Sequence, residues 1–116
     1  MENRRVLPRR QTIYYLRVSD RKNRRLIGRV TDITTDGIRL CCEKPLAIDR
    51  TLCLTMDMPG PGKRKNRVKF EARSKWCGRD VNPDLFAAGL AIEKISDQDT
   101  RAIERLLVTS TFRKTV

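Results

Sequence analysis

The chain contains no histidine, and this absence narrows the chemistry that it can perform. A metal site with mixed cysteine and histidine ligands cannot be built, and the four cysteines show no CxxC spacing. Acid–base catalysis would fall to Asp, Glu, Lys, Tyr or Cys, yet no paired carboxylates and no nucleophile–base spacing stand out. We therefore expect a protein that is not an enzyme and that holds no metal or cofactor.

Long hydrophobic runs are also missing. No apolar segment approaches the length needed to cross a bilayer, and the arginine-rich start lacks the hydrophobic stretch of a secretion signal. The sequence thus predicts a cytoplasmic protein without a membrane span, whose cysteines stay reduced. Aromatic residues make up only 5% of the chain, so stacking platforms for single-stranded nucleic acid are scarce.

Positive charge is what the chain has in excess. The chain has 116 residues, a length suited to one domain. It contains 26 Lys and Arg but only 14 Asp and Glu, which gives a net charge of +12. The excess is concentrated in the first thirty residues, where Glu2 and Asp20 are the only acidic residues. An anionic partner is therefore favoured electrostatically.

Alternating apolar and polar residues predict a β-rich fold. The alternation is clearest over Asn66–Cys77, where Val68, Phe70, Ala72, Ser74 and Trp76 share one face, and it recurs over Thr51–Met58. Four further strands are predicted at Thr12–Val18, Arg24–Ile33, Gly37–Cys42 and Leu85–Ile95. Trp76, Phe70 and Phe86 are expected in the core.

The end of the chain follows a different pattern. Ser96-Asp97-Gln98-Asp99 is typical of a helix start, and Ile103, Leu106 and Leu107 then follow helical spacing. We expect a helix of about three turns that covers one open end of a barrel formed by the six predicted strands. The predicted fold class is therefore mainly β, a six-stranded antiparallel β-barrel with a C-terminal α-helix.

Two short segments carry the functional interpretation. Arg5-Val6-Leu7-Pro8-Arg9 is an RxxxR sequence, and Asp32-Ile33-Thr34-Thr35-Asp36-Gly37 is close to the pattern (D/N)xSxxG. Together, in this order and with a barrel around them, they resemble the PilZ family. The resemblance implies a PilZ-like barrel over residues 12–116, preceded by a flexible arm over residues 1–11. It also implies a receptor for cyclic di-GMP that changes conformation on binding and regulates an effector protein in motility, biofilm or polysaccharide output.

Physical chemistry supports a ligand-binding role for the arm. Pro8 disfavours helical geometry at Leu7, so Arg5 and Arg9 lie on an extended or turning segment. A guanidinium group pairs in a fork with phosphate oxygens and equally with O6 and N7 of guanine. Arg4 and Arg10 flank the motif and are included in the predicted site. The resemblance implies that an arginine at position 4 favours an intercalated pair of ligands over a single one.

The second half of the predicted site consists of Asp32, Thr34 and Gly37. The Asp32 carboxylate can accept hydrogen bonds from N1 and N2 of guanine, and the Thr34 hydroxyl can bind the base or a neighbouring backbone group. Gly37 provides a backbone conformation or a close approach that a side chain would block. The family usually has serine at position 34, and threonine keeps the hydroxyl while adding a methyl group.

Two alternatives stay open. A small basic barrel could bind nucleic acid with its whole charged surface, although no helix suited to the major groove is evident. The second alternative is a degenerate PilZ-like domain that has lost ligand binding and only contacts other proteins. The scarcity of aromatic residues also counts against nucleic-acid binding, and no specific nucleic acid is expected as a partner. Both motifs being nearly intact counts against the degenerate domain.

Overall fold

A computed structural model describes residues 16–58 and 66–115 of the chain. The elements are β1 (Arg17–Asp20), β2 (Leu26–Ile33), β3 (Gly37–Cys42), β4 (Thr51–Met58), β5 (Asn66–Arg79), β6 (Phe86–Ile95) and α1 (Asp97–Thr115). The strands close a barrel in the order β1-β2-β3-β6-β5-β4, and every neighbouring pair is antiparallel. The predicted fold class, a six-stranded antiparallel β-barrel with a C-terminal helix, is confirmed.

The barrel interior is filled by alternate side chains of the strands. Phe70 is 2% exposed, and Leu40, Leu54 and Met56 are fully buried. Burial of these large apolar side chains stabilises the closed barrel, because each is worth about 1.5–3 kcal/mol when removed from water. The opposite faces of the strands form the outer wall of the barrel.

Strand boundaries agree with the sequence predictions to within two residues, except at β1. The predicted β1 covered Thr12–Val18, whereas the described part of this strand runs over Arg17–Asp20, and residues 12–15 lie outside the described residues. β2 begins at Leu26 and not at Arg24, because Arg24 has a positive φ of 61° in the preceding turn. The strands β3 and β4 were predicted correctly, β5 is two residues longer and β6 one residue shorter.

The two ends of the barrel differ. At one end, which we call the helix end, lie the start of β1, the turn from β2 to β3 and the junction of β6 with α1. At the far end lie the β1–β2 turn, the β3–β4 loop and the β5–β6 loop. The chain that precedes Leu16 therefore enters the barrel at the helix end.

The helix α1 starts as its sequence predicts. Ser96 caps it, because its Oγ accepts from the N–H of Asp99 at 3.1 Å and its carbonyl accepts from Thr100 at 2.9 Å. The Asp99 carboxylate in turn accepts from the N–H of Lys69 at 3.2 Å and ties the helix to β5. Ile103 is fully buried among the barrel side chains, so α1 closes the helix end.

The prediction of three turns was too short. α1 has 19 residues, about five turns at 3.6 residues per turn. No Gly or Pro occurs between Asp97 and Thr115, so the sequence contains nothing that ends the helix earlier. Among the described residues, no helix combines the length and the apolar character that crossing a membrane requires.

Replacing Ile103 with alanine is expected to lower the free energy of unfolding by about 2–5 kcal/mol, because it leaves a cavity where α1 enters the core. Urea unfolding followed by circular dichroism measures this loss. Val108→Ala is the matched control, since Val108 lies on the same helix but is 66% exposed and should change stability by less than about 0.5 kcal/mol. Equal losses in both variants would show that α1 does not close the core through Ile103.

Candidate functional site

The β2–β3 turn is held together by the hydroxyl group of Thr34. Its Oγ1 accepts from the N–H of Asp36 at 3.1 Å and of Gly37 at 3.2 Å, and its own N–H donates to the Gly37 carbonyl at 2.9 Å. The Asp36 carbonyl accepts from the N–H of Ile92 at 2.8 Å, which links the turn to β6. Of the two roles considered for the Thr34 hydroxyl, the structure places it in the backbone role.

Gly37 lies where β3 passes very close to β6. A Cβ atom added at this position would lie 2.7 Å from the carbonyl oxygen of Leu90. Because this neighbour is backbone, it cannot move aside as a flexible side chain would. Glycine is therefore required here for the close approach of two strands, and its contribution to the site is to bring the turn against β6.

A β-bulge turns Asp32 to the outer wall. Val30 pairs with Leu40, but Asp32 pairs with Arg39, so Thr31 is an extra residue in β2. Simple alternation from the buried Val30 would have placed Asp32 inside the barrel. With the bulge, Ile33 faces the core and Asp32 is exposed, and its Oδ1 accepts from the N–H of Ile33 at 3.0 Å.

A second bulge has the same effect on Trp76. Ser74 pairs with Leu90 and Trp76 pairs with Gly89, so Lys75 is the extra residue of β5. Trp76 is 45% exposed on the outer wall, and the expectation that it belongs to the core was wrong. The expectation was correct for Phe70, which is buried, and for Phe86, which packs against the core.

Glycine at position 89 allows the indole ring to lie flat against β6. A Cβ atom at this position would lie 2.1 Å from Nε1 of Trp76 and 2.4 Å from its Cε2. The guanidinium carbon of Arg39 lies 5.4 Å from the centre of the indole ring, within the range of a cation–π interaction. Trp76 is thus held between a glycine and an arginine with part of its ring open to solvent.

Strand pairing places these residues in one line across the barrel. Asp32 pairs with Arg39, Arg39 with Gly89, and Gly89 with Trp76, which gives a row across β2, β3, β6 and β5. We call Asp32, Arg39, Gly89 and Trp76 the outer row. With inter-strand spacings of about 4.8 Å, its three steps span about 14 Å. The row lies along an open groove of about 380 Å³ that also includes Thr34, Gly37 and Lys75.

The neighbouring Arg73 differs from Arg39 in its partners. Its Nε donates to Glu93 at 2.9 Å and its guanidinium also contacts Asp49 at 3.2 Å. These contacts, first with Glu93 and then with Asp49, raise the pKa of Arg73 above its ordinary value. Arg73 is occupied by acidic side chains, whereas the described contact of Arg39 is with an aromatic ring, which leaves its five N–H donors for a ligand.

The arginines predicted in the N-terminal arm, Arg4, Arg5, Arg9 and Arg10, lie outside the described residues. The structure does define where the arm joins the barrel. The Leu16 carbonyl accepts from the N–H of Val30 at 2.9 Å, beside the part of β2 that leads to Asp32.

Sequence reasoning missed two members of the outer row, Arg39 and Trp76. Arg39 is an ordinary exposed position in an alternating strand, and no local pattern distinguishes it from other arginines. Trp76 was assigned to the core because it continues the alternation of Val68 and Phe70. Lys75-Trp76 repeats the order of Arg67-Val68 and Lys69-Phe70, so no local signal marks the bulge.

The described cysteines form no disulfide: Cys41, Cys42, Cys53 and Cys77 are all free thiols, as the sequence predicted. Burial, and to a smaller degree the nearby Cys77 and Cys41, raises the pKa of Cys42 to about 12. Burial and Asp80 also raise the pKa of Cys41. Because thiolates are the reactive form, these two thiols are poor nucleophiles at neutral pH.

Comparison with known proteins gives a likeness of fold but no likeness of sequence. No family model matches the chain, and neither does any curated protein. The fold is similar to that of the Bacillus subtilis inhibitor of motility MotI/DgrA, with a TM-score of 0.74, 16% sequence identity and 88% of this chain covered. The chain spans 49% of the length of that protein. The likeness concerns the fold alone, and the fold is PilZ-like.

Proposed function

We propose that this chain is a cyclic di-GMP receptor that acts through a partner protein and performs no catalysis. The observation that carries the proposal is the outer row, in which strand pairing aligns a carboxylate, a guanidinium group and a half-exposed indole ring. The structural neighbour is named as an inhibitor of motility, and a regulatory role of this general kind fits the proposal.

The chemistry of the outer row matches one guanine base. N1 and N2 of guanine are donors and O6, beside them, is an acceptor. Asp32 accepts hydrogen bonds and Arg39 donates them, and the two residues are direct cross-strand neighbours. Adenine, which carries a donor where guanine has O6, would face Arg39 with the wrong group. The pair therefore discriminates between the two purines.

Trp76 provides a stacking surface at the other end of the row. Stacking of a base on an aromatic side chain is worth about 1–3 kcal/mol and suits any base. Lys75, which also lines the groove, adds positive charge next to the indole ring. We infer that the barrel wall holds the bases and that the arm arginines bind the phosphates, since the arm joins the barrel at the helix end, beside Asp32.

We infer that closure of the N-terminal arm over the groove is the change that a partner protein detects. An arm with four arginines repels the rest of a basic barrel, and two ligand phosphates offset that repulsion when the arm closes over the groove. Closure of this type would alter the surface that a partner protein meets. The resemblance to PilZ domains points to motility, biofilm or polysaccharide synthesis as the regulated process.

The test is a titration with cyclic di-GMP in which the fluorescence of Trp76 is recorded, because this is the single tryptophan of the chain. Micromolar binding and a change in Trp76 emission are expected, and GTP should change this emission much less at the same concentration. Asp32→Ala should weaken binding about tenfold or more, since a hydrogen bond to a charged group is worth about 1.5–3 kcal/mol.

The matched control is Asp84→Ala, which removes the same charge from an exposed residue in the β5–β6 loop at the far end of the barrel. It should bind cyclic di-GMP like the wild type. Failure of the wild-type protein to bind cyclic di-GMP would overturn the proposal. Equal weakening in the two variants would remove Asp32 from the site.

A further inference from the structure

A second groove lies on a different part of the barrel wall. Its volume is about 500 Å³, and it is formed by β1, β4, the start of β5 and the β1–β2 turn. Five cations line it: Arg17, Arg21, Arg24, Arg67 and Lys69. We call it the basic groove. It shares no residue with the groove of the outer row.

Strand pairing builds the floor of the basic groove. Ser19 pairs with Thr55, and Thr55 pairs with Lys69, so two hydroxyl groups and an ammonium group lie in one line across β1, β4 and β5. Hydroxyl groups donate hydrogen bonds to anions without adding charge. The floor therefore offers three donors side by side.

The β1–β2 turn forms a fixed rim. The Asp20 carboxylate accepts from the N–H of Lys22 at 2.7 Å and of Asn23 at 3.2 Å, and the Asp20 carbonyl accepts from Arg24 at 2.8 Å. These bonds position Arg21 and Arg24 at the groove. They also direct the Asp20 carboxylate towards the backbone of its own turn and not towards the arginines.

The positive charge of the basic groove is only partly compensated. Asp57 lies in the groove, but it pairs with Arg67, whose Nε is 3.3 Å from its Oδ1. Among the described residues, no ion pair joins Arg17, Arg21, Arg24 or Lys69 to an acidic side chain. Four cations that face a common space repel one another, and a bound anion removes that repulsion.

We propose that the basic groove binds a small ligand with adjacent phosphate groups, such as a di- or triphosphate. A guanidinium group can donate two parallel hydrogen bonds to the oxygens of one phosphate. The volume of the basic groove also lies within the range of about 300–1,000 Å³ that is usual for small-molecule sites. Among the described residues that line the groove there is no aromatic side chain for a base to stack on, so we assign the binding to the phosphates. A folded protein partner would need an apolar centre, which this lining lacks.

Calorimetric titration of the full chain with inorganic triphosphate at low ionic strength tests the proposal. One equivalent is expected to bind, and Arg21→Gln combined with Lys69→Gln should weaken binding tenfold or more. The charge-matched pair Lys44→Gln and Lys94→Gln, both exposed and outside the groove, should leave it unchanged. Asp32→Ala should also leave it unchanged, which separates this site from the outer row.

Three further ligands, namely GTP, a single-stranded oligonucleotide and polyglutamate, distinguish recognition of adjacent phosphates from other ways of binding an anion. GTP that binds as well as inorganic triphosphate supports recognition through the phosphates alone. Tighter binding of a single-stranded oligonucleotide that grows with its length would overturn the proposal in favour of a nucleic-acid backbone. Equal or tighter binding of polyglutamate, or an equal loss in the two charge-matched double variants, would overturn it in favour of unspecific charge attraction.

Discussion

Replacing both Arg5 and Arg9 with alanine is expected to weaken cyclic di-GMP binding about a hundredfold or more. Each single replacement should cost about tenfold, which corresponds to about 1.4 kcal/mol. The reason is that each guanidinium group would form charge-assisted hydrogen bonds to phosphate or guanine in the proposed complex. Within the outer row, Arg39 is the one residue with a guanidinium group, so it cannot replace both contacts. Isothermal titration calorimetry on the purified chain measures both the single and the double variants.

Two comparisons separate specific contacts from general charge. Arg50→Ala combined with Arg101→Ala removes the same two charges from exposed positions on the β3–β4 loop and α1 and should change affinity little. Lysine at positions 5 and 9 keeps the charge but cannot form a fork, so an intermediate affinity is expected. Similar losses from the two alanine pairs would contradict the role of the RxxxR segment, because net charge alone would then explain the effect.

The architecture could be predicted from the sequence because the barrel follows a simple alternation. Over Thr51–Met58 and Gly37–Cys42 each apolar residue of the core face is separated from the next by one outward residue, and both strands have the predicted bounds. The helix start was predictable for a similar reason, since the Ser96 cap is a local interaction. The helix end was not, because no Gly or Pro marks it.

The candidate site was less predictable, because it depends on departures from alternation. Thr31 in β2 and Lys75 in β5 are extra residues, and beyond each of them the residues that simple alternation assigns to the core face outward. These bulges arise from the pairing of β2 with β3 and of β5 with β6. Reading β5 alone put Trp76 into the core. The motif at Asp32 marks the β2–β3 turn, but the alignment of Asp32 with Arg39 and Trp76 is a tertiary feature that single-strand patterns do not contain.

Thr34 illustrates what the structure adds to a motif. Its hydroxyl accepts two backbone N–H groups within the turn, and this function needs the oxygen and not the extra methyl group. Serine and threonine can therefore both shape the turn that ends at Gly37. The extra methyl group of threonine therefore affects only the space around the turn, while the hydrogen bonds of the turn are kept.

Replacing Gly89 with alanine is expected to weaken cyclic di-GMP binding about tenfold while leaving the barrel folded. The new methyl group would lie 2.1 Å from Nε1 of Trp76, so the indole ring must leave its position over β6. Because the ring belongs to a half-exposed side chain, it can swing into solvent at little cost to stability. The stacking surface is lost with it, and stacking is worth about 1–3 kcal/mol per base. Titration calorimetry, with circular dichroism as the test of folding, measures the two effects.

Gly78→Ala is the matched control for this prediction. Gly78 also lies in the sheet near Trp76, but no atom lies within 4 Å of a Cβ added there, so the same substitution should leave binding unchanged. A double-mutant cycle with Trp76→Ala gives the sharper criterion. If Gly89 acts only by supporting the indole ring, Gly89→Ala should have no further effect on affinity once the ring is absent. A full additional loss in the Trp76→Ala background would show that Gly89 acts independently of the indole ring, and an unchanged affinity of Trp76→Ala alone would contradict the stacking role.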